Sequence, residues 1–186
     1  MNKDKPIKWS QHLPNALTIT NMLMGMLAIF LLLGTTATRK SACGFVLVGA
    51  LADACDGSLA RFLGAESALG KQLDSLADSI TFGLAPAAIL YSFPTLRQDL
   101  WMLPIMVIYA MAGCFRLARY NLGDFRDHFL GLPITAAGCM VVIYALLLDN
   151  LQVQANFAPG VVKVVTAILL LGLSLAMVSR VKIKRL

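Results

Sequence analysis

Apolar residues run along this chain in six blocks, separated by short stretches that hold most of the charged and turn-forming positions. The blocks cover roughly residues 15–34, 41–63, 71–93, 100–120, 131–149 and 160–180. Each approaches the ~20 residues, at ~1.5 Å rise apiece, that carry an α-helix across the ~30 Å hydrocarbon core of a bilayer. The pattern predicts an all-α fold, an integral membrane bundle of six transmembrane helices. No internal repeat, low-complexity tract or linker interrupts it, so residues 1–186 read as a single domain. The segment before the first block is polar and basic. The block itself is longer than the ~7–15 residues of a signal-peptide core, so it reads as a retained span. The third block is the least regular, because Asp74 and Asp78 weaken its first turns. An interfacial segment is the alternative there, and the apolar continuation over 80–93 favours a span.

Composition agrees. Hydrophobic residues make up 58% and charged residues 14% of the chain, and the mean hydropathy is +0.73. Soluble domains run at about 45–50% apolar and about 25% charged, so a soluble globular protein and a disordered one are both excluded. The net charge of +6 then reads as attraction to anionic lipid rather than to nucleic acid. Cys43, Cys55, Cys114 and Cys139 all lie in apolar stretches without a CxxC spacing, which points to packing and away from a disulfide framework or a zinc site. If both termini are cytoplasmic, the inner segments hold twelve of the 16 Lys and Arg residues, and the outer ones hold Arg39, Lys40, Arg97 and Lys163. That asymmetry predicts cytoplasmic N- and C-termini in a multi-pass protein of the cell membrane.

Four acids stand where apolar residues are expected. Asp53 and Asp56 lie within the second block, and Asp74 and Asp78 open the third. An aspartate at the centre of a span costs ~2.5–3.5 kcal/mol on insertion scales, so such residues point to function rather than packing. The i,i+3 pair and the i,i+4 pair each share a helix face. A hairpin turning around residues 64–70 brings the two faces together at the cytoplasmic end. Four crowded carboxylates repel one another unless a cation sits between them. Arg61 and Lys71 are too few to neutralise them, and an all-oxygen donor set suits Mg²⁺ or Mn²⁺ rather than zinc or copper. Gly57 and Ala60 leave room for a bulky ligand or for a neighbouring helix. Arg61 can clamp a phosphate or reach to the interface.

The full pattern reads Asp53-x-x-Asp56-Gly57-x-x-Ala60-Arg61-x8-Gly70-x-x-x-Asp74-x-x-x-Asp78. It resembles the signature of the CDP-alcohol phosphotransferase family, with all eight signature residues at the expected gaps. The resemblance implies that Asp53, Asp56, Asp74 and Asp78 hold two divalent ions, and that Asp78 also serves as the catalytic base. It implies contacts to the CDP-lipid from Gly57, Ala60, Arg61 and Ser67. On the first helix it implies contacts from Asn15, Thr18 and Asn21, polar residues that interhelical hydrogen bonding would equally explain.

The segments Leu73–Pro86, Cys114–Asn121 and Gly131–Ile134 resemble the membrane-embedded phosphatidylserine synthases within that family. The resemblance implies CDP-diacylglycerol and L-serine as substrates, phospholipid biosynthesis as the role, and an active site facing the cytoplasm. Counting ~1.5 Å per residue from Leu100 to Arg116 gives about 24 Å, which returns the chain to the side of the aspartates. Arg116 and Arg119 are i,i+3 neighbours whose planar guanidinium groups suit a carboxylate or a phosphate, and serine brings a carboxylate; anchoring at lipid headgroups is the other reading. Asn121 adds either a hydrogen bond to the amino acid or a helix C-cap. A phosphatidylglycerophosphate or phosphatidylinositol-phosphate synthase is the alternative within the family, and a cation transporter the alternative outside it. The sequence leaves open the donor's lipid chemistry (diacylglycerol or an archaeal ether lipid), the choice between Mg²⁺ and Mn²⁺, and whether the protein forms a homodimer.

Overall fold

A computed structural model describes residues 12–34, 39–63, 67–122, 129–150, 158–179 and 182–183. The helices are α1 (His12–Leu33), α2 (Arg39–Leu63), α3 (Ala68–Asp78), a π-helical turn (Ser79–Leu84), α4 (Ala85–Tyr91), α5 (Pro94–Arg97), α6 (Met102–Leu122), α7 (Ile134–Asn150) and α8 (Pro159–Val178). Five stretches are long and apolar enough to cross a membrane: Asn15–Leu33, Arg39–Leu59, Ala68–Tyr91, Met102–Leu122 and Pro159–Val178. The apolar α7 is shorter, at 17 residues, or about 25 Å, the lower end of what spans a bilayer. The first eleven residues and the last three, on which the expected side of the termini bears, lie outside the described residues.

Burial is arranged as a membrane demands. Large apolar side chains such as Phe30, Leu51, Met111 and Ile168 face outward, while Thr18, Asn21, Asp56, Asp78, Thr81 and Arg116 are buried. The apolar part of the core centres on Phe82, Tyr109, Ile134 and Met177. Gly113 and Gly138 let the chain close around it: a Cβ on Gly138 would stand 2.8 Å from the Phe82 Cα, and one on Gly113 would stand 3.0 Å from the Ile134 Cγ1. In a bilayer such close backbone approach replaces the hydrophobic drive that packs soluble helices.

Two departures from the expected regular helices have local causes. The third block is not one α-helix, because Pro86 in the first turn of α4 has no N–H to offer the carbonyl of Phe82. The chain widens into the π turn, in which the Ala85 N–H reaches back to the Ile80 carbonyl, and the Tyr109 hydroxyl donates to the Phe82 carbonyl at 2.9 Å. The fold is all-α as expected, with one short pairing outside the helices: Phe129–Leu130 (β1) lies antiparallel to Lys182–Ile183 (β2). This pairing ties the α6–α7 connection to the chain beyond α8. Gly131 follows at φ 73, in the left-handed region open to glycine, where a Cβ would meet the Met177 carbonyl oxygen at 2.5 Å.

Ion pairs mark one end of the bundle. Arg39 at the start of α2 pairs with Asp149 at the end of α7 at 3.0 Å, and Lys163 near the start of α8 pairs with Asp99 ahead of α6. At the opposite end, hydrogen bonds join the first half of α1 to α2 and α3, α2 to the start of α7, and the end of α6 to the end of α8.

Candidate active site

The four aspartates gather at that second end. The i,i+3 spacing turns Asp53 and Asp56 of α2 toward α3, which carries Asp74 and Asp78. Carboxylate oxygens of Asp53, Asp56 and Asp74 lie within 4.8 Å of one another. Asp78, one turn on, stands with its carboxyl within hydrogen-bonding reach of that of Asp53. Asp56 is 5% and Asp78 7% exposed.

Neutral donors orient these acids. The Thr18 hydroxyl donates to Asp56 Oδ2 at 2.8 Å, the Thr135 hydroxyl to Asp53 Oδ2 at 3.3 Å, and the Asn21 amide to Asp78 Oδ1 at 3.3 Å. Hydroxyls and amides fix direction but cancel no charge. Among the described residues, none of the four aspartates forms an ion pair with Lys or Arg. Two carboxylates 4.8 Å apart repel by about 3–4 kcal/mol at an effective dielectric of about 20. The donor set is all oxygen, half-buried and, among the described residues, without a paired cation, and so fits a hard divalent ion. The cluster of Asp53, Asp56 and Asp74 could hold a metal ion.

Other residues singled out by the sequence fall around this centre in distinct ways. Gly57 is exposed, and among the described residues a Cβ added to it would meet nothing within 4 Å. Ser67 caps α3, accepting from the Gly70 N–H at 2.9 Å. Asn15 lies beside it: a Cβ on Gly70 would stand 3.1 Å from Asn15 Oδ1. Thr18 and Asn21 are buried behind the carboxylates rather than lining open space. The side chains of Ala60 and Arg61 lie outside the described residues.

The two arginines of α6 part company. Arg116 is 7% exposed; the Asp78 carboxylate is near enough to act on its guanidinium electrostatically, and among the described residues its Nε has no hydrogen-bond partner. Arg119 turns to α8, donating to the carbonyls of Val178 at 2.9 Å and Ser179 at 3.2 Å. It thereby closes the C-terminus of that helix, whose carbonyls lack intrahelical donors. The Asn121 amide donates to Ser75 Oγ at 2.8 Å, which ties α6 to α3. The two arginines expected at the serine site thus point to different surroundings, with the Arg119 guanidinium engaged by backbone carbonyls at the end of α8.

Thr135 escaped the sequence reading. Its signal was a lone hydroxyl in the first turn of an apolar helix, two residues after Pro133.

A family model described as CDP-alcohol phosphatidyltransferase matches residues 11–178. The chain belongs to this family. Its members depend on divalent metal, in keeping with the acidic cluster. Among its relatives, the CDP-diacylglycerol–serine O-phosphatidyltransferase of Bacillus subtilis is 34% identical over 172 residues, covering 92% of this chain and 89% of that protein. The protein of the same name from Mycobacterium leprae is 32% identical over 184 residues, covering 95% of this chain and 59% of that protein. The one from Methanocaldococcus jannaschii is 30% identical over 141 residues, covering 76% of this chain and 64% of that protein. The chain thus spans less than two thirds of the length of the latter two relatives.

Proposed function

We propose that this chain is a phosphatidylserine synthase, transferring a phosphatidyl group from CDP-diacylglycerol to the hydroxyl of L-serine and releasing CMP. The observation that carries the proposal is the carboxylate cluster, in the same bundle as a buried guanidinium whose Nε has no hydrogen-bond partner among the described residues. The names of the relatives agree with it.

Asp53, Asp56 and Asp74, with help from Asp78, would hold two divalent ions, Mg²⁺ or Mn²⁺. When bound, the ions supply charge neutralisation for the diphosphate and for the departing CMP. The chain's own groups do the rest. Thr18 and Thr135 aim Asp56 and Asp53 inward. The space beside Gly57 admits the diphosphate close to the backbone, and Asn15, Ala60, Arg61 and Ser67 complete the nucleotide side. Asp78 accepts the proton of the serine hydroxyl while that oxygen attacks the phosphorus on the lipid side. The bond from this phosphorus to the CMP oxygen breaks, and CMP leaves as the anion. Arg116 pairs with the serine carboxylate, the one anionic group that distinguishes serine from inositol or choline. Asn21 acts on Asp78 rather than on the CDP-lipid.

The proposal includes a single domain over residues 1–186 in the cell membrane, with α7 as a sixth span. Both termini and the active site face the cytoplasm. The distribution of Lys and Arg supports this orientation, and so does the gathering of the first half of α1 and the end of α8 at the aspartate end.

The test is CMP release by purified protein with CDP-diacylglycerol and Mg²⁺ or Mn²⁺, offered serine, glycerol-3-phosphate, inositol or inositol phosphate in separate reactions. Release is expected with serine. Release with a different acceptor and none with serine would refute the assignment while leaving the family membership intact.

A further inference from the structure

Among the described residues, several Ser and Thr hydroxyls stay on their own helix, whereas three Thr hydroxyls cross to another. Thr20, Ser58, Ser75, Ser79, Thr166 and Ser174 each donate to the carbonyl four residues back in their own helix, the usual refuge of a helical hydroxyl in an apolar setting. Thr18, Thr135 and Thr81 send theirs to another helix. The first two reach aspartates directly. The third, Thr81 in the π turn, donates to the backbone carbonyl of Asn21 at 2.9 Å, and Asn21 is the residue whose amide holds Asp78.

We infer that Thr81 is a positioning residue for Asp78, acting through Asn21 and the π turn. Asp78 is the last residue of α3, and the widened turn starts immediately after it. The direction in which its carboxyl points is therefore set by how that turn is seated on α1. The Asn21 amide alone fixes little: its bond to Asp78 is long, at 3.3 Å, and its Oδ1 is buried without a hydrogen-bond partner among the described residues. Thr81 supplies the missing constraint by binding the same residue through its main chain. Asn21 and Thr81 are both 0% exposed.

The fit around Thr81 is tight enough to transmit this. A Cβ on Gly25 of α1 would stand 2.7 Å from the Thr81 Cα, and a Cβ on Gly49 of α2 would stand 2.8 Å from the Thr81 Cγ2. Thr81 is thus seated between two glycines on two helices, with its methyl against one and its backbone against the other. Behind the same turn, the Tyr109 hydroxyl holds the Phe82 carbonyl. The turn that presents Asp78 is pinned on both sides.

The inference rests on the assignment of Asp78 as proton acceptor, and the experiment separates the two. Thr81→Val keeps the shape and removes the donor; Thr81→Ser keeps the donor. Thr81→Val is expected to lower kcat by about 10–100-fold, the scale of a small misplacement of a reacting group. Both KM values, and the Mn²⁺ affinity measured by electron paramagnetic resonance without substrates, should stay at wild-type values. Thr81→Ser should restore most of kcat. In an Asp78→Asn background, Thr81→Val should cost nothing further. If Asp78→Asn abolishes turnover and Thr81→Val retains wild-type kcat, the positioning role is overturned and the base stands. If Asp78→Asn keeps turnover, the base assignment falls, and the Thr81 inference falls with it. If Thr81→Val moves a KM or the Mn²⁺ affinity instead of kcat, Thr81 is a packing residue and the inference is wrong. Should the valine variant fail to accumulate, Thr81→Ala, which removes the donor and leaves space, is held to the same outcomes.

Discussion

Replacing Arg116 by lysine isolates the one group proposed to recognise the acceptor. Lysine preserves a positive charge within electrostatic range of Asp78 but removes the planar guanidinium and with it the buried Nε that has no hydrogen-bond partner among the described residues. A hydrogen bond involving a charged group is worth about 1.5–3 kcal/mol, so losing one from the serine carboxylate should raise the KM for serine roughly 10–100-fold. Desolvation argues for the upper part of that range, since Arg116 is 7% exposed. The KM for CDP-diacylglycerol should hardly change. Arg119→Lys is the internal contrast. It gives up hydrogen bonds to Val178 and Ser179 and should cost about 1–2 kcal/mol of stability while leaving serine recognition alone. The assay is steady-state CMP release with each substrate titrated against saturating partner, beside thermal unfolding in detergent. An unchanged KM for serine in Arg116→Lys would refute the carboxylate role. A rise in the KM for CDP-diacylglycerol instead would move Arg116 to the diphosphate.

Three further outcomes follow from the same geometry. Asp78→Asn keeps size but takes no proton, so turnover should fall by at least ~10²-fold while CDP-diacylglycerol still binds in an equilibrium assay; near wild-type turnover would remove Asp78 from the base role. Chelation with EDTA should abolish activity, Mg²⁺ or Mn²⁺ but not monovalent salt should restore it, and either divalent ion should raise the unfolding temperature by relieving repulsion among carboxylates held within 4.8 Å; full activity after exhaustive chelation would sink the metal assignment. Gly25→Ala places a Cβ 2.7 Å from the Thr81 Cα and should destabilise the protein by about 1–3 kcal/mol through overpacking; an unchanged unfolding temperature would show that the α1–π-turn contact is looser than its geometry.

The sequence by itself determined what depends on short-range periodicity. Apolar runs of helical length announced the spanning helices, since in lipid a helix must satisfy its backbone within one segment. The i,i+3 and i,i+4 spacings of Asp53, Asp56, Asp74 and Asp78 placed each pair on one face, because 3.6 residues per turn leave no other arrangement. Tertiary structure alone decided what depends on which helix stands opposite. Residues three apart on a helix differ by roughly 60° around its axis, so Arg116 is buried within electrostatic range of Asp78 while Arg119 turns to the end of α8. Pro86 frees the Phe82 carbonyl, but the π turn also draws on the Tyr109 hydroxyl from another helix to satisfy it. Thr81 and Thr135 look like any hydroxyl in an apolar run. Their roles come from the groups they meet across the bundle, Asn21 sixty residues earlier in the chain and Asp53 eighty-two residues earlier, and separations of that kind leave no trace in local pattern.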